Sequence, residues 1–299
     1  VPERHSAGVA GRAGLLGLLL LAAAAGQTGC RRSGPPLPRE EFLRRAAAAA
    51  GERARLTSFS AEYSLSAEGA RPGGRQGSLS CSGVILVQGS RLRMSGEKAL
   101  GMARIFDLVL DGPEIRASLT RGNRFMMGRL ARALEGRGAE SLLAEDGGLD
   151  LARLLLPAPA LGGPGGAELS FGRSQVEAVW RSPEDGRVLR RTVFAADSAE
   201  VLRSELLGAD GRPVLSAEFD PPAECGGLHP VRGFRLRLAR PAEMRLEIRF
   251  SGPEVNCPVR PKAFDLAAPE GAELVDLDKA SPPAPGSGSG GGAGPRPAP

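Results

Sequence analysis

Along residues 58–68, SFSAEYSLSAE, the apolar side chains Phe59, Ala61, Tyr63, Leu65 and Ala67 alternate one for one with serine and glutamate. A period of two puts each set on its own face of an extended chain, so the segment is predicted to be a strand buried on one side. The alternation returns in SLSCSGVILVQG, where Leu79, Cys81, Ile85 and Val87 share a face. It returns again in Phe234, Leu236 and Leu238, then Met244, Leu246, Ile248 and Phe250, separated by mainly charged positions across a Pro241-Ala242 turn. Further strands are predicted near 90–96, 102–110, 114–119 and 123–128, and then near 168–181, 187–195, 199–207, 213–219 and 230–250. Turn residues about ten positions apart predict an antiparallel meander.

Two segments depart from this period. EEFLRRAAAAAGERARL, from Glu40 to Leu56, is built of helix formers, with acids in its first turn and arginine in its last. Its expected apolar stripe is Phe42, Leu43, Ala46, Ala47 and Ala50. Residues 139–157 are predicted to form one or two short helices. The GGPGG run at 162–166 is a loop, without the Gly-Lys-Ser/Thr ending a phosphate loop requires.

Composition narrows the class. Hydrophobic residues make up 41% of 299 positions, which excludes a wholly disordered or fibrous chain. With aromatics at 4%, 42 glycines and 25 prolines, frequent turns are favoured over a helical bundle. The charge of +5, from 39 basic against 34 acidic residues, is spread out and forms no dense run, so no nucleic-acid partner is expected.

The ends carry different information. Arg4 and Arg12 precede an apolar stretch from Leu15 to Ala25, followed by Gly26, Gln27, Thr28, Gly29 and Cys30, the layout of a secretory signal. As a helix that stretch would span only about 16 Å, against a hydrocarbon core of about 30 Å. Cys30 after Thr28-Gly29 resembles a bacterial lipobox, whose cysteine is diacylated and becomes the new N-terminus. Arg31, in place of an inner-membrane-retaining Asp, points to the outer membrane. The expected organisation is a signal peptide at 1–29, a lipidated tether at 30–38, one β-rich domain at 39–280 and a disordered Gly/Pro/Ser-rich tail at 281–299.

Little catalytic chemistry is legible. Beyond the leader His229 is the sole histidine, read as a turn residue before Pro230, and there is no G-x-S-x-G, H-E-x-x-H, C-x-x-C or EF-hand spacing. No catalytic residue, metal ligand or cofactor is therefore assigned, and the chain is read as a non-enzyme. Cys225 and Cys257 could pair in an oxidising periplasm, a loop closure contributing about 3 kcal/mol. Cys81 is read as a small buried hydrophobe.

The succession of acylated cysteine, short helix and alternating strands resembles the LolA/LolB-like superfamily of periplasmic lipoprotein carriers and outer-membrane lipoprotein receptors. The local match is RLRMSGEKALGMARIFDLVLDG at 91–112, with Leu100-Gly101 before an apolar strand, and the closing residues Asn256, Phe264, Pro269 and Gly271. The resemblance covers about 57–277. It implies a mainly β (α+β) fold: a single unclosed antiparallel β-barrel, with an N-terminal helix and short helices covering a hydrophobic cavity for acyl chains. Phe59, Tyr63, Leu65, Ile85, Val87, Leu92, Met94, Phe106 and Leu108 are the cavity candidates; each reads equally well as filling a solid core. The expected protein is a lipoprotein of the bacterial envelope, anchored in the membrane through Cys30 and facing the periplasm. Its expected ligand is a lipid or a lipoprotein acyl chain, and its expected partners are other envelope lipoproteins. The alternative is a non-catalytic envelope scaffold that binds another protein through its barrel surface.

Overall fold

The computed structural model describes residues 34–70, 76–98, 103–131, 152–162, 166–239 and 243–279. The leader, Cys30, most of the tether, residues 139–151 of the segment expected as one or two short helices at 139–157, the centre of the GGPGG loop, the Pro241-Ala242 turn and the C-terminal tail lie outside the described residues.

The chain opens with helix α1, Arg39–Arg55, and continues through β1 (Ser58–Ala70), β2 (Gln76–Gln88), β3 (Arg91–Lys98), β4 (Ala103–Asp111), β5 (Glu114–Leu119) and β6 (Arg124–Arg129). A one-turn helix α2, Ala152–Leu155, precedes β7 (Glu168–Phe171), β8 (Gln175–Arg181), β9 (Val188–Ala195), β10 (Val201–Leu207), β11 (Pro213–Phe219), β12 (Gly233–Leu238) and β13 (Met244–Val255). A 3-10 turn, Pro261–Phe264, and β14, Glu273–Asp276, complete the described chain.

All fourteen strands belong to one sheet, in the order β14-β6-β5-β4-β3-β2-β1-β13-β12-β11-β10-β9-β8-β7. The two edge strands, β14 and β7, do not pair, so the barrel is unclosed. Two local meanders, β1–β6 and β7–β13, are joined along β1 and β13, with Tyr63 opposite Phe250 and Leu65 opposite Ile248. The period-two pattern sets the register of this seam, because a one-residue slip would turn each strand's apolar set to the other face.

Three details differ from the sequence reading. The stretch expected as one strand at 168–181 is a hairpin of β7 and β8, closed by the Gly172 N–H donating to the Gln175 carbonyl at 2.9 Å. β14 runs parallel to β6, with Leu274 opposite Phe125, the one parallel pairing in an otherwise antiparallel sheet. It follows the 3-10 turn laid over β3 and β4, so the chain meets β6 running in the same direction. On α1, Phe42 and Ala46 are buried and Leu43 and Ala49 pack against the core, whereas Ala47 is exposed. The buried stripe therefore follows the i, i+4 row from Phe42 and extends to Glu52, a charged position that apolar patterning passes over.

The 3-10 turn straps the outer face. Phe264 is fully buried beneath the Arg91 guanidinium, 4.3 Å from its ring centroid, and Arg93 donates to the Ala263 carbonyl while forming a two-pronged pair with buried Asp107 at 3.1 and 2.7 Å. Asn256, at φ 55°, accepts from the Thr57 N–H and donates to the Arg55 carbonyl, tying the end of α1 to the end of β13. Burial of this aromatic and satisfaction of these polar groups hold the closing segment without a regular element of its own.

Candidate functional site

The inward face of the sheet is apolar along nearly its whole length. Phe59, Tyr63, Leu65, Ile85, Val87, Leu92 and Met94 are buried in one cluster with Phe42 and Ala46 of α1, and Phe106 and Leu108 are partly buried against it. The residues singled out from alternation thus lie together on the face that α1 covers. Close approach within the face depends on glycine: a Cβ at Gly83 would overlap the Ser95 carbonyl, and one at Gly96 would overlap the Phe106 ring. The Tyr63 hydroxyl donates to that same Ser95 carbonyl at 3.0 Å, and burial raises its phenol above the usual range. Burial also raises the Cys81 thiol beside it.

Helix α1 is held over this face by two kinds of contact. Phe42 meets Phe171 and Phe194 edge to face, at centroid distances of 5.5 and 5.6 Å. Polar ties secure both ends: the Leu37 N–H donates to the Ala196 carbonyl at 2.8 Å, and Arg53 donates to the carbonyls of Leu156 and Ala158, each at 3.0 Å. Glu52 accepts from the backbone N–H of His229 at 2.7 Å and from its ring Nδ1 at 2.8 Å. His229 is therefore more than a turn residue. A carboxylate facing the core and its partner far downstream are invisible to any local pattern, and the only signal was a glutamate on the buried row of the helix.

Beside these ties lies a groove of about 370 Å³, within the size range of small-ligand sites. Ala48, Ala49, Pro157, Val201 and Val231 give it a mostly apolar lining, with Glu52 and His229 at its margin. The Ser198 hydroxyl, another lining group, is sealed from solvent and has no hydrogen-bond partner among the described residues.

Among the described residues, a charged side chain, Arg190, shares the inward face. Strand register places Arg190 between Trp180 of β8 and Leu206 of β10. Its guanidinium lies 5.2 Å from the Trp180 ring centroid and its Nε donates to Ser204 at 3.2 Å. Burial, then the like charges of Arg153 and Arg53, lower its pKa to about 10, so it stays cationic at neutral pH. Sequence reasoning missed this residue. The available signal was the pair Arg190-Arg191 inside a strand, because successive residues point to opposite faces and one of the two must turn inward.

The cysteines occupy separate environments. Cys225 and Cys257 are free thiols here: Cys225 Sγ donates to the Pro253 carbonyl at 3.1 Å, and Cys257 Sγ lies 3.9 Å from the Ser58 hydroxyl. Cys81 is buried, and Cys30 lies outside the described residues.

Two of the solved proteins similar to this chain are the following. A LolA superfamily protein from Nitrosomonas europaea is 11% identical with a TM-score of 0.43, the match covering 77% of this chain and 98% of that one. A DUF1329 family protein from Desulfovibrio piger is 14% identical with a TM-score of 0.46, the match covering 76% of this chain and 97% of that one. No family model and no curated protein matches the chain.

Proposed function

We propose that this protein is a lipid-anchored lipoprotein of the bacterial outer membrane that faces the periplasm and binds a hydrophobic ligand, a lipid or the acyl chains of other lipoproteins, in lipoprotein localisation or envelope maintenance. The observation that carries the reading is the apolar groove of about 370 Å³ beside α1, next to a sheet face apolar along nearly its whole length. An acyl chain suits such a surface, since each methylene withdrawn from water contributes about 0.8 kcal/mol and needs no directional partner. Movement of α1 would open the face, exchanging chains between bilayer and protein, with Phe59, Tyr63, Leu65, Ile85, Val87, Leu92, Met94, Phe106 and Leu108 as the contact surface. The leader and Cys30 support the anchor, which would hold the protein where such ligands are inserted. Nothing in this role requires turnover of a substrate, and we read the protein as a binder.

Native mass spectrometry of the full chain carrying Cys30→Ala, so that its own acyl groups are absent, tests the proposal. A stoichiometric lipid, or uptake of added fatty acid that Ala49→Trp blocks without unfolding the protein, is the expected outcome. A bare protein mass with no uptake would replace this reading with the protein-binding scaffold.

A further inference from the structure

Arg190 is an anomaly on the inward face. Taking a guanidinium out of water costs several kcal/mol unless a counter-charge answers it, and buried charges are accordingly paired. Its interactions within the described protein are the Ser204 hydroxyl, the Trp180 ring and repulsion from Arg153 and Arg53. No carboxylate contacts it among the described residues. Its two Nη nitrogens make no hydrogen bond to the described residues. On the outer face, by contrast, Arg93 is answered by an acid, Asp107. The planar donor fork of Arg190 is fixed by stacking and by one Nε hydrogen bond, with its remaining donors presented beside an indole and the side chain of Leu206. That is a positioned half of a bidentate pair whose other half is not found among the described residues.

We propose that Arg190, stacked on Trp180 and tied to Ser204, receives the anionic group, carboxylate or phosphate, of an amphiphile whose apolar part lies on the inward face. This rests on the hydrophobic-ligand reading and narrows it to anionic ligands. Arg53 and Arg153 add positive potential to the subsite without having to touch the ligand. The acyl part supplies affinity; the head group sets orientation, because only one end of the ligand can meet the guanidinium.

Trp180 is the only tryptophan in the chain, so its emission reports directly on the subsite. The experiment titrates the full chain carrying Cys30→Ala, and the same chain carrying in addition Arg190→Gln or Arg190→Lys, with dodecanoate, dodecyl phosphate, uncharged dodecanol and inorganic phosphate alone. The expected result is that Arg190→Gln weakens both anionic amphiphiles about tenfold or more, the worth of one charge-assisted pair, and leaves dodecanol within about twofold. Arg190→Lys, which keeps the charge and loses the fork, falls between. Thermal unfolding accompanies each variant, and Arg190→Gln is expected not to lower the midpoint, since it removes a charge that no described carboxylate answers. Equal affinity of parent and Arg190→Gln for the anionic ligands overturns the inference, while dodecanol binding leaves the hydrophobic-ligand reading intact. Inorganic phosphate binding that depends on Arg190, with no amphiphile bound, assigns the subsite to a free anion and overturns the amphiphile reading. Absence of any binding overturns both.

Discussion

Glu52 and His229 stand 177 residues apart in the chain and meet through two hydrogen bonds, 2.7 Å to the backbone N–H and 2.8 Å to the ring Nδ1. The pair fastens α1, the element covering the inward face, to the loop before β12. Any opening of that face has to break or carry this contact.

Removing the carboxylate therefore loosens the helix. Glu52→Ala removes the acceptor of the partly buried His229 N–H bond and is expected to lower stability by about 1–3 kcal/mol, whereas His229→Ala keeps the backbone bond and costs less. Thermal unfolding of both single variants and the double variant measures the coupling. Additive effects would show that the two groups do not act as a unit.

Gly83→Ala should be more damaging than Gly96→Ala. At Gly83 the added methyl meets the Ser95 carbonyl, a ladder atom between β2 and β3 that cannot yield without breaking sheet pairing, while at Gly96 it meets a Phe106 ring. Overpacking of this kind costs roughly 1–3 kcal/mol and more where backbone must move. Denaturant midpoints of the two variants give the order, and a tolerated Gly83→Ala would mean that β2 and β3 do not approach as described.

Tyr63 is the only tyrosine, so ultraviolet absorbance of phenolate reports on it alone. Burial raises its folded pKa above the usual value of about 10. The native state thus keeps a proton that the unfolded chain releases, so this group's contribution to stability is full below about pH 10 and declines as pH rises further. Phenolate is expected to emerge together with alkaline unfolding. A reversible phenolate titration near pH 10 in protein that remains folded would place the side chain in water.

Phe264 is fully buried under Arg91, yet it belongs to a segment with almost no regular structure. Phe264→Ala is expected to cost about 3–5 kcal/mol, the range for a large buried aromatic. Hydrogen exchange should then rise first in β3, β4 and the strap. Uniform loss across the sheet would show that the strap and the barrel unfold as one.

The strands were legible in the sequence because alternation is a local property. Leu65, Ile85 and Ile248 each declare their face from neighbours two positions away, and burial rewards only the register that turns those faces to one side. The helix of residues 39–55 was legible for the same reason, from propensity and end charges. Tertiary structure alone decided the rest. The seam between β1 and β13 joins segments almost two hundred residues apart, and the parallel docking of β14 depends on the path of the closing segment over the outer face. At the site, alternation placed Phe59, Tyr63 and Leu65 on one face but could not show that Glu52 would find His229. It required that either Arg190 or Arg191 turn inward, and could not show which, or that the inward one would meet no carboxylate among the described residues. Period and propensity act over a few residues, whereas a charge is answered or left unanswered by groups that only the folded chain brings within reach.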